Sequence, residues 1–532
     1  MKPTDDDVRL PGPVRRGMIL YIVAVVVVLM TVAAMALSSL LQTEHEATML
    51  RGDELQITLV ARSGVDYVAA CLVPTDSDES SESIDDIDTW TAPEAMPAGM
   101  PNVVMSSSDS EEPASFHPGN LYNDPTRFAA VGVVMPRPQR PRQGTARFTV
   151  VAPRFEEERL AGIRYGLLNE SSRLHLGAVL AWDQAEPGQG ARSLMKLPGM
   201  TPSMADSILD WLDPDKTPRT SGAELDYYER AGLPYAPRNA TPVALEELLL
   251  VRDVTRELLF GDDEAMTFGY RKSGERIEPK ESLPWSLLMT TFSAEKQVDV
   301  TTGLAKIWLN ESDLTFLYGQ LEKRLGKEAA DFVVLFRQSP AEPVEAVDPA
   351  LPAKNRINSP FDLLDVTVAG RKSPFSLDGA DAEERFLKLL DAATEREETI
   401  IYGRINVNEA SRCVLESIPG MTPEIVTQIL SRRGRVDAGG RYASRQRHPC
   451  WLAAEKIVDM EMLRRLWPNL TCGGDVWRAQ VIAFYEGEGP ACRLEAVLDA
   501  TVKPPRQIYQ KDLTLYGVGY PGQVLVPTAF GN

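Results

Sequence analysis

The sequence predicts an α+β protein, with one long N-terminal helix packed on an antiparallel sheet and a large inserted α-helical domain. Three observations carry that prediction. Residues 18–41 are uncharged and almost wholly apolar. Segments on both sides of the middle of the chain alternate apolar and polar residues with the period of a strand. Between them a helix, a Pro-Gly turn and a second helix recur.

The apolar run comes first. About 20 apolar residues are enough for a helix to cross a bilayer. Arg15 and Arg16 stand at its N-terminal edge and hold that end in the cytoplasm, which leaves the bulk of the chain on the far side. A cleaved secretory signal is the competing reading. It fits less well, because its apolar core is usually about 7–15 residues and no clean Ala-x-Ala site follows here. The helical pattern also continues: Leu50, Ile57, Val60, Ala61, Val65, Val68 and Leu72 recur at threes, fours and sevens, with no proline before Pro74. One helix over 18–74 is expected, its first half in lipid and its second half amphipathic in solution.

The 532 residues give room for several domains, and the net charge of −20 argues against a nucleic-acid partner, since phosphate affinity comes from clustered Lys and Arg. The five cysteines, Cys71, Cys413, Cys450, Cys472 and Cys492, contain no CxxC pair, so a zinc site is not expected. An oxidising compartment would permit a disulfide among Cys450, Cys472 and Cys492.

Residues 75–120 are rich in Asp, Glu, Ser and Pro and read as a solvated acidic insertion. They lack the fixed glycine turn of a calcium loop. Ala146-Arg147-Phe148-Thr149-Val150-Val151 then reads as a strand.

The repeat follows. Arg173-Leu174-His175-Leu176-Gly177 leads to a helix and then to Leu197-Pro198-Gly199-Met200-Thr201-Pro202. Arg404-Ile405-Asn406-Val407-Asn408 leads likewise to Ile418-Pro419-Gly420-Met421-Thr422-Pro423. A third, decayed copy starts at Lys306-Ile307-Trp308-Leu309-Asn310, with helical patterns over 313–318 and 328–337. Thr201 and Thr422 stand where an N-cap belongs, each followed by proline at the first helical position. The unit reads as a helix-hairpin-helix, with Pro198, Gly199, Pro419 and Gly420 forming the turns. Such a turn either offers backbone N–H groups to a phosphate or simply packs two helices. The second helices carry Asp206 and Glu424, and the arginines Arg432, Arg433 and Arg435 come only after the second copy. The structural role is therefore preferred.

After the first hairpin comes Asp210-Trp211-Leu212-Asp213-Pro214-Asp215, then Gly222-Ala223-Glu224 and Tyr227-Tyr228. This is a helix end, a proline-punctuated loop with carboxylates and an aromatic pair. On the residues alone, the carboxylates cap helices and bond loop amides. Near the C-terminus, 476–485 and 492–500 alternate and read as a hairpin with one face buried. No HExxH, Gly-x-Ser-x-Gly, P-loop or dinucleotide pattern is present, so no enzyme is expected. His175 reads as a structural histidine.

A basic leader ending in Gly17, an apolar helix and an amphipathic continuation resemble the type IV prepilin and pseudopilin class. The resemblance implies cleavage after Gly17 and methylation of Met18. Most members carry glutamate at the fifth mature position, where this chain has Ile22. A buried carboxylate there is costly unless it pairs with a neighbour's terminal amine, so its lack suits a subunit with no neighbour ahead of it. Together with the Asp-Trp-x-Asp, Gly-Ala-Glu and Tyr-Tyr series, this resembles the K-type minor pseudopilins of type II secretion systems.

The resemblance implies a pilin-like sheet on the long helix. It divides the chain into a leader (1–17), the helix (18–74), the acidic insertion (75–120), the first part of the α+β domain (121–175), an inserted helical region (176–400), a second hairpin region (401–470) and C-terminal strands (471–532). It implies a subunit that starts or caps a pseudopilus tip and supports export. Its partners would be other minor pseudopilins, the major pseudopilin and the prepilin peptidase. It would lie in the inner membrane with its N-terminus cytoplasmic and its bulk periplasmic. No cofactor is implied except calcium, which some members bind. Asp213, Asp215 and Glu224 are the oxygen ligands of the right kind. The alternative is a membrane-anchored DNA-uptake receptor using the two Pro-Gly turns.

Overall fold

The computed structural model describes residues 16–73, 121–134, 144–156, 159–261, 267–268, 270, 283–299, 302–434 and 444–527. The expected acidic insertion and all but the last two residues of the expected leader lie outside them.

Helix α1, Arg16–Cys71, runs 56 residues without a break, about 80 Å at the usual rise. Its first half is long and apolar enough to cross a membrane, and every side chain over 19–41 is exposed. The character changes at Ile57. From there Ile57, Val60, Ala61, Val65 and Val68 are buried, with the three-and-four spacing of a one-sided helix. The helix stops three residues before Pro74.

These residues pack on a seven-stranded sheet. Its strands are β1 (Val131–Val133), β2 (Ala146–Glu156), β3 (Arg159–Tyr165), β4 (Leu168–Asn169), β5 (Val476–Tyr485), β6 (Cys492–Asp499) and β7 (Arg506–Asp512). The order is β1-β2-β5-β6-β7, with β3 on β2 and β4 on β5, all antiparallel. Helix α1 crosses β2, β5 and β6. At Gly64 the helix backbone lies close on the sheet, and a Cβ there would lie 2.6 Å from Val481 Cγ1 and 3.0 Å from Phe148. A larger residue there would have to lift the helix off the sheet.

Strand β5 is apolar on both faces, which corrects the expected hairpin with one buried face. Val481 and Ala483 turn to α1, while Ile482 and Phe484 turn to the helical region behind the sheet. Strand β7 had no sequence signal. As Arg506-Gln507-Ile508-Tyr509-Gln510-Lys511-Asp512 it is a charged edge strand, the composition that keeps edges from pairing with other chains.

The chain between β4 and β5 folds into helices around one continuous core. They include α2 (Leu176–Ala185), α3 (Gln189–Leu194), α4 (Pro202–Leu212), α5 (Leu314–Leu325), α6 (Lys327–Gln338), α7 (Ala380–Ala392), α8 (Arg412–Glu416) and α9 (Pro423–Arg432). Each copy of the repeat opens on a two-residue strand paired in parallel with a later segment. Leu174–His175 pairs with Met289–Thr290, Ile307–Trp308 with Ala393–Thr394, and Ile405–Asn406 with Leu470–Thr471. The copies differ inside. The first has two helices, α2 and α3, before its turn, where the second has only α8. The third joins α5 to α6 through Gly326 alone.

A buried ion network joins sheet and helices. Glu170 is fully buried, and its carboxylate binds Arg173, Arg478 of β5 and the Thr290 hydroxyl, with Arg478 Nε at 2.7 Å. Burial alone would raise its pKa, but the two guanidinium groups hold it down at about 2. The cysteines are thiols. Cys492 sits in the core under α1, apart from Cys450 and Cys472, which lie near each other in the helical core.

Candidate functional site

The segment 183–252 gathers the carboxylates picked out in the sequence. Asp183, near the end of α2, accepts the Gly188 N–H at 2.9 Å and the Gly190 N–H at 3.1 Å through Oδ1. Gly188 takes the left-handed conformation (φ 84°) that lets the chain reverse into α3. The Leu197–Met200 turn follows, and the Thr201 hydroxyl accepts the Met204 N–H at 3.3 Å to cap α4. Pro202 is the first helical residue. The cap and proline are those expected from sequence.

Helix α4 is buried along its second half, and Trp211 anchors it. Its ring meets Tyr228 and Tyr235 edge-on at 5.8 and 6.3 Å, and its Nε1 donates to Glu247 at 3.0 Å. The carboxylates lie on the other side. Arg219 NH2 binds Asp183 Oδ2 at 2.9 Å and NH1 binds Asp210 Oδ1 at 2.8 Å, while NH1 also pairs with Asp213. The Arg219 backbone N–H bridges both Asp210 oxygens at 3.2 and 3.3 Å. A Cβ on Gly222 would fall 1.9 Å from Asp210 Oδ2, so only glycine lets the loop close over that carboxylate.

Of the three expected calcium ligands, Asp213 gives one oxygen to Arg219 and Asp215 turns to the Thr217 N–H at 2.7 Å. Glu224 is buried next to Asp210 and Asp213. Asp213 Oδ1 and Glu224 Oε1 are buried without a hydrogen-bond partner. Burial and the charges of Asp210 and Asp213 raise the Glu224 carboxyl to about 7. Burial also raises Asp210 and Asp213, against the pull of Arg219. Among the described residues no group of three or more His, Cys, Asp or Glu side chains is disposed to hold a metal ion.

Neither Pro-Gly turn presents an open phosphate cradle. At the first, Trp285 Nε1 donates to the Pro198 carbonyl at 2.8 Å, and Leu258 would lie 2.8 Å from a Cβ on Gly199. At the second, Leu466 and Met462 lie 3.7 Å from the same position on Gly420. Arg432 and Arg433 donate to the Glu455 and Ala410 carbonyls, both at 2.6 Å. They tie down the end of α9. His175 caps α2 through Nδ1 at 3.3 Å from the Ala178 N–H, and burial lowers it to about 4.

Sequence reasoning missed Arg219 as the hub of this cluster. It stands in a Thr-Pro-Arg-Thr stretch that reads as an exposed loop. The one available signal was four acidic side chains, Asp206, Asp210, Asp213 and Asp215, within ten positions of one another and just ahead of a lone arginine.

Residues 173–260 match the family described as type II secretion system (T2SS), protein K, first domain. No curated protein matches the chain. Among solved structures, the chain is similar to one in the crystal structure of the GspK-GspI-GspJ complex from the enterotoxigenic Escherichia coli type 2 secretion system. That match has 10% identity and a TM-score of 0.29, covering 71% of this chain and 83% of the other. The family match spans the stretch that holds the first Pro-Gly turn, the Arg219 cluster and the aromatic anchor, and over those residues the chain is similar to type II secretion system protein K.

Proposed function

We propose that the protein is a minor pseudopilin that starts or caps the tip of a type II secretion pseudopilus and so supports protein export. The reading rests above all on α1. It is one rod, apolar at its start and packed on an antiparallel sheet at its end. Such a subunit waits in the inner membrane, N-terminus inward, until it is drawn into a filament. Leu55 and Leu59 are exposed one turn apart on α1, and this pair offers an apolar contact to the helix of a second pseudopilin. Ile22 in place of the usual glutamate removes the group that would pair with a subunit ahead. The helical region packs on the sheet face opposite α1, and its bulk would block addition above. The chain's part is thus assembly rather than catalysis.

Mass spectrometry of the mature N-terminus tests this. A chain beginning at methylated Met18 is the expected result. An intact Met1, or a cut near Ala36, would overturn it. A variant lacking the inserted helices that still ends assembly normally would remove the steric part alone.

A further inference from the structure

The resemblance to protein K implies calcium at the carboxylate-rich loop, yet the residues of this chain do not fit a calcium ion there. Calcium takes six to eight oxygens at about 2.3–2.6 Å. Here most of the carboxylate oxygens are already committed. Asp183 gives Oδ1 to two backbone N–H groups and Oδ2 to Arg219. Asp210 accepts the Arg219 side chain and backbone together, and Gly222 roofs its Oδ2. Asp213 gives Oδ2 to Arg219, and Asp215 caps Thr217. Two buried oxygens remain without a partner, Asp213 Oδ1 and Glu224 Oε1, and two are too few for calcium.

We propose that Arg219 is a built-in cation for this loop: its guanidinium stands where a divalent ion would gather the same carboxylates, so residues 210–224 fold without calcium. The geometry suits a guanidinium. It is planar and permanently charged, with several N–H donors in a fixed fork. One such group can therefore bind carboxylates arriving from different elements, here the end of α2 and two positions one turn apart at the end of α4. A dication brought to the two remaining oxygens would face that guanidinium at close range. The arrangement makes Arg219 a positioning residue of the loop, and Gly222 the position that lets the loop close. This inference rests on the similarity of residues 173–260 to protein K and on the cluster geometry, and stands whether or not the subunit sits at a filament tip.

The test uses the full chain in detergent, with thermal unfolding followed in excess calcium chloride and in chelator, and calcium uptake followed by calorimetry. The wild-type protein is expected to unfold at the same temperature in both and to give no calcium heat. A rise in Tm with calcium would overturn the proposal. Arg219→Gln is expected to lower Tm in chelator by on the order of several degrees. With the carboxylates released, it is also expected to bind calcium and regain part of the loss. An Arg219→Gln protein that folds but takes up no calcium, or unfolds at the wild-type temperature, would equally overturn it. If the variant fails to fold, the wild-type arm decides alone.

Discussion

In the first Pro-Gly unit the chain leaving α4 is closed by Arg219, which binds Asp183, Asp210 and Asp213. In the second, the chain leaving α9 is closed by Gln446. Its Oε1 accepts the Gly434 N–H at 2.8 Å and its Nε2 donates to the Arg432 carbonyl at 3.1 Å. Both closures are roofed by glycine, since a Cβ on Gly434 would lie 2.3 Å from Gln446 Oε1, much as Gly222 meets Asp210. The turns before them are nearly superimposable in kind, with left-handed Gly199 (φ 69°) and Gly420 (φ 88°) and a threonine cap. The folding device is shared, while the clamp is ionic in one copy and neutral in the other. An ionic clamp built from three carboxylates and one guanidinium is sensitive to charge. A single amide that both donates and accepts is not.

The largest expected difference comes from cutting each clamp. Arg219→Ala leaves three carboxylates, Asp210 fully buried, without their counter-ion, and removing one partner of such a group costs about 3–5 kcal/mol. Arg219 is 24% exposed, so the lower end of that range is expected. Gln446→Ala leaves one N–H and one carbonyl unpaired, at about 1–3 kcal/mol. Urea unfolding of the full chain in detergent measures both. Equal losses would break the distinction between the clamps.

The shared device was legible because its signals are local. Thr201-Pro202 and Thr422-Pro423 announce a cap and first turn, and Pro-Gly announces the reversal. Helix α1 was legible for the same reason, with an apolar run, a continuing stripe and a proline beyond its end. The clamps were not. Arg219 and Gln446 act through side chains that reach across a loop, and nothing in their neighbours separates them from solvated polar residues. Strand β3 and edge strand β7 escaped notice because tertiary pairing makes them strands: β3 is a short run buried over five consecutive residues and β7 is mostly polar, so neither shows an alternating apolar face. The Glu170–Arg478 joint links positions more than 300 residues apart, which no local pattern can show.

Acidity sharpens the comparison next. The Glu224 carboxyl lies at about 7 in the folded chain, above its ordinary unfolded value near 4.5. A raised pKa means the folded state holds the proton more tightly. The stability this contributes is fully present below about 4.5 and is lost as pH rises through 7. Asp210 and Asp213 shift in the same direction. Stability of the first unit is therefore expected to fall between about pH 5 and 8, and Glu224→Gln to flatten that slope. Unfolding midpoints across this range read the effect. A slope unchanged in Glu224→Gln would place the titration elsewhere. Gln446 has no ionisable partner in its clamp, so Gln446→Ala should leave the slope as it is.

The smallest effect tests the part held in common. Thr201 accepts the Met204 N–H and Thr422 accepts the Ile425 N–H, each at 3.3 Å. Both precede a proline that fixes the first helical turn. Loss of such a cap costs about 1 kcal/mol, and neither hydroxyl touches its clamp. Thr201→Ala and Thr422→Ala should therefore cost the same within a few tenths of a kcal/mol, and Thr201→Ala should add to Arg219→Ala without coupling. A double-mutant cycle decides it. Coupling of more than about 0.5 kcal/mol would mean that cap and clamp act as one unit, and that the two copies differ from the turn onward rather than only in what closes them.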